Sequence, residues 1–404
     1  MHLLMRKSRL TTDFYEFGGK SPLYGRNFTY EPEKFKGKHV LLFFGGKSTE
    51  HLVSCRSALF IARTLSKMPL KLSLVGITVN GDFLPYPFDG EHLDSENWVK
   101  EAEEYGKSRN VPSAPISSPA AFLSSLTKDG SKPDILFPVL HGINCEDGAI
   151  QGLFKMADIP FVGSGVLASA CGMDKIAAKT ILQHYKIPVV PWFRLSRRVW
   201  QMNNEDACID ILEKLPFPLF VKPANGGSSV GAGKANNLSS LNQAIAAAAE
   251  LDSEILIERQ LRVRELECGV LGNFPNYLAS PVGEIIVKKP NSFYDYQTKY
   301  FSEQATETCI PATITTLMTR QIHELALEVC NILQISGLAR VDFFFDRDAR
   351  KIYFNEINTM PGFTEISLYP QVFAAGGFDA TELCGRLLYL ALAEHEERSR
   401  RETI

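Results

Sequence analysis

The chain has no apolar run approaching the ~20 residues that cross a bilayer, so a membrane-spanning role is not expected. Its eight cysteines include no C-x-x-C pair and no metal-finger spacing. That argues against a disulfide scaffold and for reduced thiols in the cytoplasm. No charge sign dominates. A net charge of −3 gives no electrostatic footprint for nucleic acid. No internal repeat is visible, which sets aside solenoids and propellers. What remains is a 404-residue chain, 45% hydrophobic and 22% charged, with the proportions of a globular enzyme of two or three domains.

The most informative stretch lies toward the C-terminus. Gly337-Leu-Ala-Arg-Val-Asp-Phe-Phe-Phe345 and Ile352-Tyr-Phe-Asn-Glu-Ile-Asn358 read as two apolar strands. Arg340 and Asp342 are two apart and share a strand face, as do Glu356 and Asn358. Two carboxylates and an amide oxygen suit Mg²⁺, which binds through one or two carboxylates plus substrate phosphates. The guanidinium suits a developing phosphate or tetrahedral oxyanion.

Upstream, His39–Phe44 is a buried-type strand ending in Gly45-Gly46, followed by a helix over about 50–65. Leu72–Thr78 and Asp134–Leu140 are further strands. This alternation reads as an open α/β domain with ligands beyond the carboxyl ends of its strands. Residues 82–132 are rich in Pro, Ser and charge and read as an insertion or long loop. A helix is expected over 168–185. An α+β unit follows, with strands at 219–222 and 254–258 and a helix near 241–251. The organisation expected is an extension over 1–38 packing on or near the first domain, an N-terminal α/β domain over 39–165, a central unit over 166–258, a C-terminal metal-type unit over 259–394, and a charged tail over 395–404. The charges from Glu394 onward suggest a solvated or frayed end.

Pro223-Ala-Asn-Gly-Gly-Ser-Ser-Val-Gly231 follows a strand ending in Lys222. Its glycines let backbone N–H groups crowd around phosphate oxygens, although a hairpin turn explains the same residues. Lys175 begins a helix, where a cation is poorly placed for the dipole and points to an external anion. Glu258 and Glu265 suit adenine or ribose hydroxyls, or a turn cap. His141 and Glu146 project into the cleft and are candidates for binding substrate, and Asp147 caps the next helix. Glu50 suits a substrate ammonium or a helix N-terminus. The aromatic run 293–300 with Lys299 and the Pro361-Gly362 turn carry little weight alone, although a Pro-Gly turn can offer N–H groups to an oxyanion.

Taken in order, seven pieces resemble the D-alanine–D-alanine ligase family of the ATP-grasp superfamily. They are Gly45-Gly-Lys-Ser-Thr-Glu-His51; Leu140-His-Gly142 with Glu146-Asp-Gly148; Gly163-Ser-Gly165 with Met173-Asp-Lys175; Val221-Lys-Pro223 with Gly227-Ser-Ser-Val-Gly231; Phe293-Tyr-Asp-Tyr296 with Lys299-Tyr300; Arg340-Val-Asp342; and Asn355-Glu-Ile-Asn-Thr-Met-Pro-Gly-Phe-Thr364. They span Gly45 to about Tyr369.

The resemblance implies a three-domain ATP-grasp architecture, mixed α/β and α+β, with ATP between the central and C-terminal units. It implies two Mg²⁺ ions, with Mn²⁺ as a substitute, held by Asp342, Glu356 and Asn358. Glu50 would bind the first D-alanine's ammonium and form a closing set with Ser228 and Tyr300. Arg340 and the Gly362 N–H would stabilise the tetrahedral intermediate. Ser367 and Leu368 would serve the second D-alanine. Lys175, Lys222, Lys299 and Ser229 would contact phosphates, Glu258 and Glu265 the adenine or ribose end, and Phe293 would pack near the nucleotide. The implied role is peptidoglycan precursor synthesis by a homodimer.

Depsipeptide-forming members of the family that the chain resembles lose the tyrosine at position 300, so the resemblance implies that Tyr300, with Leu368, favours an amine and D-alanine as second substrate. The alternatives are a ligase for D-serine, D-lactate or another acceptor, and a non-catalytic ATP-binding protein. Four residues depart from the family pattern: Leu52 for an acid, Cys145 for a glycine, Gln260 for an aromatic, and Glu365 in a usually neutral loop beside the second substrate.

Overall fold

A computed structural model describes residues 31–87, 93, 95, 97–109, 116–127, 132–227, 230–287 and 306–402. The extension expected over 1–38 lies outside them up to residue 30. So do Ser228, Ser229, Phe293, Lys299 and Tyr300.

Three sheets organise the chain. In the first, β1 (His39–Gly45) pairs in parallel with β2 (Lys71–Ile77) and β4 (Ile135–Pro138), and β3 (Phe83–Tyr86) runs antiparallel on the edge. Val40 to Phe44 are all buried, as a parallel strand covered on both faces requires. The crossover α1 (His51–Leu65) turns Val53, Ala58, Ile61, Ala62 and Leu65 inward, the stripe of a 3.6-residue period.

Of the insertion or long loop expected over 82–132, the long loop is corrected. Besides β3 there are two helices, α2 (Trp98–Arg109) and α3 (Pro119–Thr127). Trp98 is wholly buried against Phe44, with ring centroids 4.8 Å apart, and its Nε1 donates to His51 Nε2 at 3.1 Å. One large apolar anchor secures a helix whose other residues are mostly charged.

The second sheet, ordered β5-β8-β6-β7, comprises β5 (Trp192–Ser196), β6 (Leu219–Pro223), β7 (Gly233–Ala235) and β8 (Glu254–Arg259), antiparallel throughout. The short α4 (Ala149–Met156), α5 (Val166–Met173) and α6 (Lys175–His184) precede it, with α7 (Arg197–Met202), α8 (Asn204–Lys214) and α9 (Leu238–Leu251) interleaved. Ile211 of α8 and Leu241, Ile245 and Ala248 of α9 share a core with Leu219, Val221, Ile255 and Ile257.

The expected single helix over 168–185 is corrected to two. Asp174 is extended (φ −81°, ψ 105°), and its carboxylate accepts from the Ile176 and Ala177 N–H groups at 2.9 Å each. This N-cap satisfies donors that an uninterrupted helix would bond internally. The break starts α6 at Lys175, whose N–H donates to the Ala224 carbonyl at 3.1 Å.

The third sheet, ordered β11-β10-β9-β12-β13, is built from β9 (Val263–Asn273), β10 (Asn276–Val287), β11 (Thr306–Cys309), β12 (Ser336–Asp346) and β13 (Lys351–Asn358). Its core includes buried residues of α10 (Thr316–Leu333) and of α5 and α6. Two further helices, α11 (Leu368–Ala375) and α12 (Ala380–Glu402), share a core with the first sheet.

Of the solvated or frayed end expected from Glu394, the fraying is corrected, since α12 continues through Glu402, while residues 396, 397, 399 and 400 are exposed. Glu394–Arg398 (3.0 Å) and Glu396–Arg400 (2.7 Å) are i,i+4 pairs, which support a helix. The Arg398 guanidinium lies 5.2 Å from the Phe161 ring centroid.

Candidate active site

A cavity of about 290 Å³ opens between the second and third sheets, lined among others by Lys175, Lys222, Glu258, Glu265, Glu267, Arg340, Asp342 and Glu356. The register of β12 against β13 sets Arg340 opposite Asn358 and Asp342 opposite Glu356. On the other side, β9 places Glu267 opposite Asp342. Strand pairing thus assembles one guanidinium, three carboxylates and an amide from distant segments.

Arg340 is the hub of this group. Its Nε and Nη2 donate to the two Asp342 carboxylate oxygens at 2.8 Å each, and Nε lies 2.7 Å from Glu267 Oε2. Asn358 Nδ2 donates to Asp342 Oδ2 at 3.0 Å. Burial, above all, pushes the Asp342 carboxyl above the ordinary range. Glu267 and Glu356 add to the rise, and Arg340 offsets only part of it.

Among the described residues no three His, Cys, Asp or Glu side chains converge as a metal site. The Asp342–Glu356–Asn358 set instead contains two carboxylates and an amide, the incomplete oxygen shell that Mg²⁺ completes with phosphates and water. Crowded, desolvated carboxylates fit a divalent cation. Taking one up would require Asp342 to release Arg340 and Asn358 to present its oxygen.

The cations converge on the cavity's other side. Lys175 Nζ donates to the Gly226 carbonyl at 2.6 Å and lies 3.5 Å from Glu356 Oε2. Lys222 Nζ is 2.7 Å from Glu258 Oε2 and donates to Asn355 Oδ1 at 3.2 Å. Beyond the cavity wall, Lys179 Nζ is 2.8 Å from Glu258 Oε1. Burial alone would raise the Glu258 carboxyl, but Lys179 and Lys222 outweigh it and hold it at about 2.

Glu50 precedes α1 and is buried. A Cβ added at Gly227 would lie 2.7 Å from Glu50 Oε2, and one at Gly142 would lie 3.2 Å from it. Both glycines allow this close approach. They bring the Gly-rich loop and the His141 loop to the same carboxylate.

His141 is buried. Its Nδ1 lies 3.0 Å from the Met360 carbonyl and 3.4 Å from Glu146 Oε1, while Nε2 has no hydrogen-bond partner among the described residues. Burial lowers the imidazole, but Glu146 and then Glu50 overcome this and raise it. Burial raises Glu146 more than His141 lowers it.

Gly362 lies in the turn after β13, where the next N–H, that of Phe363, donates to Ser57 Oγ at 3.2 Å. The Ser367 hydroxyl accepts from the Thr364 N–H at 2.9 Å and lies 2.8 Å from Thr364 Oγ1, bracing that loop. Leu368 is buried, close to Gly283. Glu365 is exposed and borders a second cavity with Arg56 and Arg63 of α1 and Lys67 just after it, a basic surround for the charge that departs from the family pattern. Cys145 is buried, its Sγ so near Gly46 that a Cβ there would lie 2.8 Å away. Glu267 and Lys179 were not singled out in the sequence. The signals present were Glu267 two residues after Glu265 on one strand face and Lys179 one helical turn after Lys175.

Comparison with known proteins finds similarity along most of the chain. The model described as D-ala D-ala ligase N-terminus matches residues 39–164, and that described as D-ala D-ala ligase C-terminus matches 181–389. The D-alanine--D-alanine ligase of Acetivibrio thermocellus is 42% identical over 369 residues, covering 89% of this chain and 97% of the relative. That of Ruminiclostridium cellulolyticum is 40% identical over 372 residues, covering 91% and 98%. Among solved structures, the D-alanine-D-alanine ligase from Coxiella burnetii aligns with a TM-score of 0.72 at 31% identity, covering 91% of this chain and 97% of that one. VanG D-Ala:D-Ser ligase from Enterococcus faecalis aligns with a TM-score of 0.74 at 33% identity, covering 88% and 100%.

Proposed function

The chain belongs to the D-alanine–D-alanine ligase family, and from that premise we propose that it joins two D-alanines into D-alanyl-D-alanine at the expense of ATP, releasing ADP and phosphate. The observation that carries this reading is the convergence of Lys175, Lys222 and Arg340 with Asp342 and Glu356 around one cavity. Phosphoryl transfer needs mainly positioning and charge neutralisation, and these residues supply both.

In the first step the carboxylate of one D-alanine attacks the γ-phosphorus of ATP, giving an acylphosphate and ADP. Lys175 and Lys222 neutralise phosphate charge, with Lys299 and Ser229 as further contacts. Glu50 binds the D-alanine ammonium, backed by Ser228 and Tyr300, and His141 with Glu146 borders the same substrate. Glu258 and Glu265 hold the adenine and ribose end, beside Phe293. In the second step the amine of the other D-alanine attacks the acyl carbon. Arg340 and the Gly362 N–H stabilise the oxyanion, phosphate leaves, and the amine's proton is lost. Ser367 and Leu368 form the second subsite.

Asp342, Glu356 and Asn358 would hold Mg²⁺, in two ions. When bound, the metal neutralises phosphate oxygens as a Lewis acid.

The product class assigns the enzyme to peptidoglycan precursor synthesis. No helix among the described residues is long and apolar enough to cross a membrane, which supports a cytoplasmic place. A homodimer through the N-terminal unit is part of this proposal. The likeness to a D-Ala:D-Ser ligase favours D-serine as the second reading for the acceptor.

Transfer of label tests the chemistry. With ¹⁸O in the D-alanine carboxylate, one labelled oxygen should appear in the phosphate released per dipeptide. Unlabelled phosphate would contradict an acylphosphate route.

A further inference from the structure

Glu258 carries two counter-ions with different access. Lys222, on Oε2 at 2.7 Å, lines the cavity. Lys179, on Oε1 at 2.8 Å, is fully buried and sealed from it. The Lys179 ammonium is otherwise fixed by the Phe354 carbonyl at 3.4 Å and the Phe354 ring, whose centroid is 5.6 Å away. It does not line the cavity, and of the two residues it contacts, Glu258 and Phe354, Glu258 is the one that does.

This inference rests on the reading of the cavity as an ATP site. A bound triphosphate would draw Lys222 away from Glu258. Were Lys222 its sole counter-ion, that move would strand a buried carboxylate, which is strongly unfavourable. We propose that Lys179 is a positioning residue for ATP: the permanent counter-ion of Glu258 that frees Lys222 to turn to the phosphates while Glu258 stays ionised to accept from the adenine amino group. The cost of moving Lys222 is then shared with a cation that never leaves. The lowering of the Glu258 carboxyl by both lysines, Lys179 first, agrees with this division.

The test compares ATP and adenosine affinities, by calorimetry on the full chain, for wild type, Lys179→Met, Glu258→Gln and Lys179→Met/Glu258→Gln. Lys179→Met should weaken ATP about tenfold and adenosine little, because adenosine makes no demand on Lys222. The double variant should bind ATP within about threefold of Glu258→Gln, since Lys179 acts only through that carboxylate. Unchanged ATP affinity in Lys179→Met, an equal loss for adenosine, or a further loss in the double variant would each overturn the inference. Should Lys179→Met not fold, the double variant against Glu258→Gln decides alone, its neutral pair carrying no stranded charge. Failure of the wild type to bind ATP would instead refute the ATP-site reading, and the inference with it.

Discussion

Arg340 Nε lies 2.7 Å from Glu267 Oε2, on neighbouring strands whose register sets Glu267 opposite Asp342. This contact gives the arginine a second anchor. Cation binding at Asp342 would take the oxygens that now hold Arg340, and Glu267 would keep the guanidinium aimed. Replacing Glu267 with Gln should cost roughly 10–100-fold in activity or metal affinity, as for other groups that orient metal ligands. Titrating Mg²⁺ in a steady-state assay checks this. An unchanged Mg²⁺ dependence and kcat would remove Glu267 from the account.

Arg340→Lys should not preserve function, because a point charge cannot reproduce the planar fork of N–H donors that stays held by Glu267 while it meets the oxyanion. The loss expected in kcat is about 10²–10³, with a smaller change in KM for ATP. Steady-state kinetics at saturating Mg²⁺ would show it.

Acid should release part of the stability through Glu258. Its carboxyl is held at about 2 against an ordinary 4.5. The stability linked to its ionisation is therefore fully present above pH 4.5 and is lost as pH falls from there toward 2. That linkage is on the order of 3 kcal/mol. Denaturant midpoints of wild type and Glu258→Gln should converge as pH drops through this window.

His141 should act in the opposite sense. Its raised pKa means that its ionisation-linked stability is fully present below pH 6.5 and fades as pH rises through the folded value. The stability difference between wild type and His141→Gln should narrow from pH 6.5 upward, as read by thermal melts across that range.

Gly76→Ala tests the packing that makes α2 a helix. A Cβ there would lie 2.3 Å from the Trp98 ring, and overpacking of this kind costs about 1–3 kcal/mol. Urea unfolding should show a lower midpoint with an unchanged slope.

The strands that build the site were legible because their apolar runs are long. In Gly337–Phe345 and Ile352–Asn358 Arg340, Asp342, Asn355, Glu356 and Asn358 interrupt otherwise apolar runs, and period two placed Arg340 with Asp342 and Glu356 with Asn358. Glu267 was less legible because its significance depends on pairing between β9 and β12, which is tertiary. The helix start at Lys175 was read from the sequence, but the apolar pattern running over 168–185 hid the break before it, although Asp174 is of a common N-cap type. In α2 the pattern was hidden because one tryptophan supplies the anchoring and the outer face is charged. In α12 the Glu394–Arg398 spacing was present, but the density of charge suggested solvent. The phosphate roles of Ser229 and Lys299, the closing set of Ser228 and Tyr300, and the packing of Phe293 near the nucleotide were legible through the family resemblance alone.

The central claim is tested most directly by phosphate release from Mg²⁺-ATP with D-alanine, compared with L-alanine, D-serine and D-lactate, with the product identified by mass. The account predicts turnover with D-alanine alone and D-alanyl-D-alanine as the product. Turnover only when D-serine or D-lactate accompanies D-alanine, or none with any of them, would contradict it.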